Sequence, residues 1–295
     1  MTIRARLQKI LAQEDLNFLL TNRIPRLATT HFVGWLSHIR SPLLARCLIG
    51  PWRWFSGLDL SEARNTRFDS LHDCFIRELK PGLRPLDPDP DVMVSPCDGI
   101  VGAFGEVKNG QVFQAKGFPY TLTDLLGDKA HNSPWHDGVY LTIRITSSMY
   151  HRFHAPADLR MHRVDYFNGD TWNVNPIALK RVEKLFCKNE RALLSVEVGA
   201  AAHPVALVPV AAILVASIRL HAIDTVLHTR YTGPHTIACE ACYEKGQEMG
   251  WFEHGSTILV FAPKGFSFAP SVQEGAQIRM GQALLRMPPS PPAPL

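Results

Sequence analysis

The sequence carries the stretch GSTILVFA at residues 255–262, an apolar run that follows a glycine and a serine. β-Branched and aromatic residues such as those in this run pack well on a pleated sheet. Further runs rich in Val, Ile, Leu and Thr lie at 139–145, 192–198 and 205–218, between Gly-, Pro- and Asn-containing turns. The pattern predicts a mostly antiparallel β-body.

The chain before this body has a helical pattern. Apolar residues recur there at three- and four-residue spacing, which predicts an amphipathic helix: Phe32, Leu36, Ile39, Leu43 and Cys47. Similar spacing predicts a helix over 68–79, ended by Pro81-Gly82, and Thr121 is predicted to cap a short helix to Leu126. We therefore expect an α+β protein, with a helical amphipathic N-terminal region followed by the β-body.

Composition divides the chain into three segments. A basic helical region is predicted over 1–63, the folded body over 64–287 and a Pro-rich, disordered tail over 288–295. With 295 residues and 46% apolar content, the chain is long enough to bury a large core. The longest apolar run, 205–216, contains Pro209 and falls short of the roughly 20 residues that span a bilayer, so it is predicted to be a buried strand.

Positive charge is concentrated at the front. Residues 1–53 hold eight Arg or Lys against two acidic residues, whereas the whole chain is only +4. Such a segment suits nucleic acid or an anionic membrane surface, and its apolar and Trp residues favour the membrane over nucleic acid. The alternative is a helix that packs on its own domain. With no secretion signal pattern, we expect the protein on the cytoplasmic side.

Six cysteines form no disulfide framework in a chain of this size. Cys239 and Cys242, with His235 upstream, resemble half of a zinc site, but one CxxC without a second pair is a weak signal. The alternative is a reduced pair on a strand or loop. We therefore predict no metal site from the sequence.

Three clusters carry chemically active side chains. Ser256 follows Gly255, and because glycine has no side chain, the serine has an open approach to the Gly255 carbonyl. The Gly255–Ser256 bond is therefore a candidate for self-cleavage. Asp98 lies in the turn SPCDG, although an Asp-Gly turn alone is usually structural. The block YHRFH at 150–154 brings His151 and His154 together with an arginine as a cation for an anionic group.

A serine hydroxyl becomes a nucleophile when a base removes its proton, and a carboxylate can orient that base. Asp98, a histidine of the YHRFH block and Ser256 supply these three types. On an ideal strand His151 and His154 point to opposite faces, so a turn is required if both act together. Each histidine alone is more often structural, and the sequence does not establish that the groups meet.

Eight motifs in order resemble the phosphatidylserine decarboxylase family. They are SPCDG (95–99), QAKG (114–117), YHRFH (150–154), FNGD (167–170), VNP (174–176), KNER (188–191), KGQEMG (245–250) and GST (255–257). The resemblance covers most of residues 68–270. Two positions depart from the family's pattern, since His254 precedes the Gly-Ser pair and Cys97 stands where alanine is common.

The resemblance implies a proenzyme that cuts itself between Gly255 and Ser256 into a β-chain (1–255) and an α-chain (256–295). Ser256 would become a pyruvoyl group, the only cofactor, which forms a Schiff base with phosphatidylserine and releases CO2 to give phosphatidylethanolamine. By the same resemblance Asp98 is the orienting carboxylate, His154 the base that activates Ser256, and His151 a participant in decarboxylation.

The resemblance also implies a carboxy-lyase that works as a homodimer, bound peripherally to the cytoplasmic side of the cell membrane, without nucleic acid. A serine hydrolase would use Asp98, His154 and Ser256 without self-cleavage, but no Gly-x-Ser-x-Gly elbow surrounds Ser256. A non-catalytic membrane scaffold is the other alternative. It predicts no effect of Ser256→Ala on phospholipid composition.

Overall fold

Three helices precede the sheets. The computed structural model describes residues 13–114, 118–214, 216–253 and 256–289. Helices α1 (Glu14–Asn22), α2 (Arg26–Ser37) and α3 (Pro42–Ser56) follow one another. Ser41 caps α3 by accepting the Leu44 N–H, and Gly57 ends it in the left-handed conformation at φ 71°.

This arrangement corrects the prediction of one apolar stripe from Phe32 to Cys47. Phe32 and Leu36 lie on α2, whereas Leu43 and Cys47 lie on α3. The chain leaves the helical path between them because Ser41 is an extended cap and the proline that follows it can begin a helix but not continue one.

Four short helices follow: α4 (Leu71–Phe75), α5 (Leu122–Leu126), α6 (Pro176–Arg181) and α7 (Leu185–Lys188). The helix predicted over 68–79 is wrong in extent, because Ser70 caps it late and Leu79 already forms a β-bridge with Ala63. The prediction at Thr121 is confirmed, since Thr121 and Asp124 form a capping box.

An antiparallel sheet of eight strands forms the body. Its strands are β2 (Gly99–Glu106), β5 (Val139–Ile145), β7 (Leu159–Phe167), β8 (Arg191–Val198), β9 (His203–Ala211), β12 (Thr236–Tyr243), β14 (Ser256–Ala262) and β16 (Gln277–Ile278). They pair in the order β12-β7-β8-β9-β14-β5-β2-β16. The predicted α+β class with a mostly antiparallel body is thus confirmed.

Smaller sheets complete the body. A four-stranded sheet contains β11 (Val226–His228), β10 (Ser217–Leu220), β13 (Glu248–Phe252) and β6 (Arg152–His154) in that order. A three-stranded sheet contains β1 (Val92–Val94), β17 (Ala283–Arg286) and β15 (Ser267–Phe268), while β3 (Gln111–Phe113) pairs with β4 (Pro119–Thr121). The run at 205–218 is therefore two strands in different sheets, not one.

Both faces of the eight-stranded sheet are covered. Along β14, Ile258 and Val260 belong to one hydrophobic core, and Leu259 and Phe261 belong to the other. Because side chains alternate across a strand, an unbroken apolar run is what a strand covered on both faces requires. A third, smaller core joins Ala45 and Ile49 of α3 to Cys74 of α4.

In the described part of the chain, no helix combines the length and the apolar character that crossing a bilayer demands. The front helices are tied to the body by polar contacts. Arg26 of α2 forms an ion pair with Asp170 and lies over the Trp172 ring, 3.7 Å from its centroid. The Asn22 side chain accepts the backbone N–H of Asn173 at 3.0 Å.

Candidate active site

Ser256 is the first residue of β14, the strand between β5 and β9 in the eight-stranded sheet. Its backbone is paired with Ile145 on one side and Ala211 on the other. The side chain is fully buried, and its hydroxyl has no hydrogen-bond partner among the described residues. Gly255 and His254, the two residues before the predicted cut, lie outside the described residues.

Asp98 reaches the same end of the sheet. It directly precedes β2, whose Ile100 pairs with Arg144 of β5, one residue from the Ile145 partner of Ser256. A Cβ at Gly99 would lie 2.3 Å from the Ile143 side chain, so only glycine allows this close approach. The Asp-Gly pair therefore brings a carboxylate to the start of β2, which is separated from β14 only by β5.

The partners of Asp98 are Arg84 and the main chain. The Arg84 guanidinium donates to Asp98 from Nε at 2.8 Å, and the Met280 N–H donates to Oδ1 at 2.9 Å. Arg84 also pairs with Glu62 at 2.7 Å. Within the described ranges, no hydrogen bond joins Asp98 to His154 or to Ser256.

His154, at the end of β6, is held beside the Asp98 turn, since its N–H donates to the Pro96 carbonyl at 2.8 Å. Its Nδ1 lies 2.9 Å from the Gly246 carbonyl and its Nε2 lies 3.0 Å from the Tyr150 hydroxyl. A carbonyl only accepts, so Nδ1 carries the proton and Nε2 accepts from Tyr150 in the neutral ring.

Burial lowers the pKa of His154, and the hydrogen bond to Gly246 opposes that shift only in part. The neutral imidazole is thus the favoured form, with its lone pair on Nε2. This is the protonation state that a general base needs.

Gly246 explains part of the KGQEMG motif. Its φ of 82° is left-handed, and a Cβ there would lie 2.5 Å from Leu86. The resulting path turns the Gly246 carbonyl toward His154. Two residues on, Glu248 accepts from Arg152 at 2.8 Å. Arg152 is therefore paired with a carboxylate of the protein itself.

His151 directly precedes β6 and is fully buried. Its carbonyl accepts the N–H of Phe252 at 2.9 Å, and its ring lies edge-on to Phe75 at 6.2 Å between centroids. Phe252 ends β13, four residues before Ser256. His151 thus lies beside the chain that leads to Ser256, in surroundings different from those of His154.

Two other motifs support the neighbour of Ser256. The Asn189 amide donates to the carbonyl of Ala211, the residue of β9 opposite Ser256, at 2.9 Å. The segment of Gly169 and Asp170 packs against Asn189 so closely that a Cβ at Gly169 would lie 2.6 Å from the Asn189 backbone. Asp170 also binds Arg26, so this segment connects the front helices to the site.

A cavity of about 260 Å³ adjoins the site. Asp98 and Tyr150 line it together with charged side chains of both signs, among them Arg77, Arg279 and Asp59. Mixed charge suits a small zwitterionic or polar group better than an apolar one.

The sequence did not single out three groups of the site. Tyr150 was quoted in the YHRFH block without a role, and its i, i+4 spacing to His154 was the available signal. The Gly246 carbonyl and Arg84 gave no such signal, because a main-chain acceptor and an arginine in a Pro-rich connector have no distinctive pattern.

The pair Cys239 and Cys242 lies on β12, with Cys239 half-buried and Cys242 exposed.

Comparison with known proteins agrees with these motifs. The sequence model of the family described as phosphatidylserine decarboxylase matches residues 71–286. A relative from Shewanella baltica strain OS155, named phosphatidylserine decarboxylase proenzyme, is 36% identical over 90% of this chain and 94% of its own length. Proteins of the same name from Myxococcus xanthus and Aliivibrio fischeri are 36% and 34% identical, over 88% and 87% of this chain and 94% and 93% of their own lengths.

These matches confirm the resemblance seen in the sequence motifs and the predicted enzyme class. The matched region includes Asp98, both histidines and Ser256. The chain belongs to the phosphatidylserine decarboxylase family of carboxy-lyases.

Proposed function

We propose that this chain is a phosphatidylserine decarboxylase proenzyme that cuts itself between Gly255 and Ser256. The observation that carries the proposal is the buried hydroxyl of Ser256, which has no partner among the described residues, at the end of the sheet that Asp98 also reaches. His154 is held beside the Asp98 turn. A buried hydroxyl without a partner is unfavourable in a finished fold. Its conversion during maturation removes that penalty, so the site fits a pyruvoyl group derived from Ser256.

In the proposed cut, the Ser256 Oγ attacks the Gly255 carbonyl carbon and gives its proton to the base. The Gly255–Ser256 amide C–N bond breaks, the base gives the proton to the Ser256 nitrogen, and the Gly255 acyl group is left as an ester on Oγ. Loss of the Ser256 Cα proton then expels the Gly255 carboxylate from Cβ, and water hydrolyses the resulting imine to a pyruvoyl group on residue 256 with release of ammonia. That carbonyl supplies an electron sink for the decarboxylation of phosphatidylserine to phosphatidylethanolamine.

His154 is the proposed base, because burial and the proton on Nδ1 leave Nε2 as its accepting nitrogen. To take the Ser256 proton, Nε2 gives up the hydrogen bond that Tyr150 donates to it in this structure. The Gly246 carbonyl, not a carboxylate, supports this tautomer. Asp98 acts through its charge, which raises the pKa of His154 slightly and balances Arg84. His151 is the proposed proton donor to the carbon that loses CO2, which requires an acid within hydrogen-bond reach.

Membrane binding is supported by the front helices. Eight of the ten large apolar side chains that are exposed in the described residues lie on α1, α2 and α3: Leu19, Leu20, Leu27, Phe32, Trp35, Leu43, Trp54 and Phe55. Exposed apolar surface next to basic residues is typical of an interfacial anchor. We propose that the enzyme binds peripherally at the cytoplasmic side of an anionic membrane, as a homodimer of cleaved chains.

A variant pair tests the proposal. Ser256→Ala is expected to remain one full-length chain without decarboxylase activity, whereas the wild type yields two fragments on a denaturing gel. Ser217→Ala is the matched control, since Ser217 is also buried with an unpartnered hydroxyl within the described residues. Cutting of Ser256→Ala would exclude the proposal. A wild type that stays uncut and hydrolyses esters instead of decarboxylating phosphatidylserine would favour the serine hydrolase.

The same gel and activity measurements distinguish the proposed roles of His154 and His151. His154→Ala is expected to stay uncut, because the Ser256 hydroxyl loses its base. His151→Ala is expected to be cut but to decarboxylate poorly. Normal cutting of the first or full turnover by the second would remove that residue from its proposed role.

A further inference from the structure

Three side chains of metal-binding type meet between the front helices and the segment before Ser256. His38 follows the last residue of α2, His72 lies on α4, and Glu253 directly follows β13. They come from three separate parts of the chain. In the described part of the chain they are the one group of three or more His, Cys, Asp or Glu side chains close enough to share a metal ion.

The potential ligand atoms converge. His38 Nε2 lies 3.9 Å and His72 Nδ1 lies 3.8 Å from Oε1 of Glu253. All three ligand atoms lie within 4.8 Å of one another. The two imidazole rings are stacked at 4.1 Å between centroids with an interplanar angle of 26°.

The far side of His38 is fixed as in a metal ligand. Its Nδ1 lies 2.8 Å from the Gly34 carbonyl and therefore donates its proton there. Nε2, which faces Glu253, is then the nitrogen with the lone pair. Metal-bound histidines almost always donate their other N–H to a carbonyl or carboxylate in this way.

His72 provides a second, independent observation. Its Nδ1 is buried and has no hydrogen-bond partner within the described residues, although it points at the Glu253 carboxylate. At 3.8 Å this pair is too long for a hydrogen bond. A buried ring nitrogen without a partner is unfavourable, and a bound cation between the groups would satisfy it.

We propose that His38, His72 and Glu253 bind a Zn²⁺-type divalent cation. Ligand atoms around tetrahedral zinc are about 3.3 Å apart. Binding therefore requires the two histidine–glutamate distances to shorten by roughly half an ångström and the two stacked rings to turn toward one point. Two imidazoles and a carboxylate are ligands that zinc accepts, whereas Mg²⁺ and Ca²⁺ prefer all-oxygen sites. The His38 side chain is half exposed and leaves an entry path for the ion.

Three protein ligands leave a fourth position for water, as in other zinc sites built from two histidines and one carboxylate. Glu253 is two residues before Gly255, so a bound ion would connect the end of α2 to the segment that precedes the proposed cut. This consequence rests on the proposed function, but the binding itself does not. Metal content can be measured whether or not the chain is cut.

Titration of the tag-free full-length protein with Zn²⁺ and Co²⁺ tests the site. We expect about one equivalent to bind per chain, with the intense visible bands of tetrahedral Co²⁺. His38→Ala and Glu253→Gln are expected to weaken this binding at least about tenfold. His38 is exposed enough that its removal leaves the packed core intact.

Two controls make the outcome decisive. His136→Ala removes an exposed histidine beside an aspartate, and the double variant Cys239→Ser with Cys242→Ser removes the half-site noted in the sequence. Both are expected to retain the bound ion. The proposal is overturned if the wild type binds no stoichiometric ion, if His38→Ala and Glu253→Gln bind it as tightly as the wild type, or if a control variant loses it.

Discussion

His154 owes its protonation state to its immediate neighbours. The Gly246 carbonyl accepts from Nδ1, Tyr150 donates to Nε2, and burial disfavours the charged ring. The sequence could predict that an imidazole base was present, because the residue type and the motif were visible. It could not predict the acceptor of the Nδ1 proton, because a main-chain carbonyl leaves no trace in the sequence.

The lowered pKa of His154 predicts how self-cleavage depends on pH. A base acts in its neutral form, and an ordinary histidine is half neutral near pH 6.5. Because burial lowers the pKa of His154, its neutral form persists to a lower pH. We expect the rate of cutting of freshly synthesised precursor, followed on gels, to be half-maximal below about pH 6.5; a midpoint above that value would contradict the assignment.

Glu190, from the KNER motif, is a second residue whose burial has a measurable effect. It is fully buried, and burial raises its pKa to about 8 although Tyr166 donates to it. In the unfolded chain the pKa of a glutamate carboxyl is about 4.3. The folded state therefore holds a proton that the unfolded state releases, so the free energy of unfolding falls as pH rises between these values.

Glu190→Gln removes this dependence. The free energy of unfolding of the variant minus that of the wild type is expected to be a few kcal/mol larger at pH 9 than at pH 5. Urea unfolding at the two pH values measures the difference. An unchanged difference between variant and wild type across that range would show that Glu190 is not protonated in the fold.

At the scale of elements, the strands were predicted better than the helices. The runs at 139–145 and 257–262 match β5 and β14 closely, because a strand covered on both faces must be continuously apolar. The helix over 68–79 and the stripe from Phe32 to Cys47 were wrong because helical spacing of apolar residues does not reveal where a serine cap or a β-bridge interrupts the helix.

The turn before β13 is the element that fixes the tautomer of His154. Gly246→Ala is expected to be strongly impaired in cutting, because the new Cβ would contact Leu86 and displace the carbonyl. Gly275→Ala is the matched control, since its φ is 85° and no atom lies within 4 Å of the added carbon. Both variants should lose about 1–2 kcal/mol of stability from the left-handed backbone.

The gel assay of self-cleavage distinguishes the two glycine variants, because both are expected to lose similar stability. Gly275→Ala is expected to be cut at the wild-type rate. Similar cutting by Gly246→Ala would mean that its carbonyl has no part in orienting the base.

At the scale of the whole molecule, the apolar surface is distributed unevenly. The sequence predicted a basic, apolar front from charge and residue type alone, and the exposed side chains of α1 to α3 agree with it. The sequence left open whether the stripe from Phe32 to Cys47 packs inward. Its members Phe32, Leu43 and Cys47 are exposed, and Leu36 and Ile39 are half-buried. The buried face of α3 is formed by other residues, among them Ala45 and Ile49.

Vesicle binding tests the role of this surface. Phe32→Ser is expected to reduce co-sedimentation with phosphatidylcholine vesicles that contain phosphatidylglycerol, and added salt should weaken binding of the wild type. Phe113→Ser is the control, because Phe113 is also exposed but lies on β3. Equal loss in both variants would argue against a membrane contact at the front helices.

The most direct test of self-processing is the intact mass of the purified wild-type protein. We expect a fragment that begins at residue 256 and is lighter by one ammonia than the same fragment with an N-terminal serine, together with a fragment that ends at Gly255. Fully active decarboxylase that consists of the uncut chain, with Ser256 unmodified, would contradict the account.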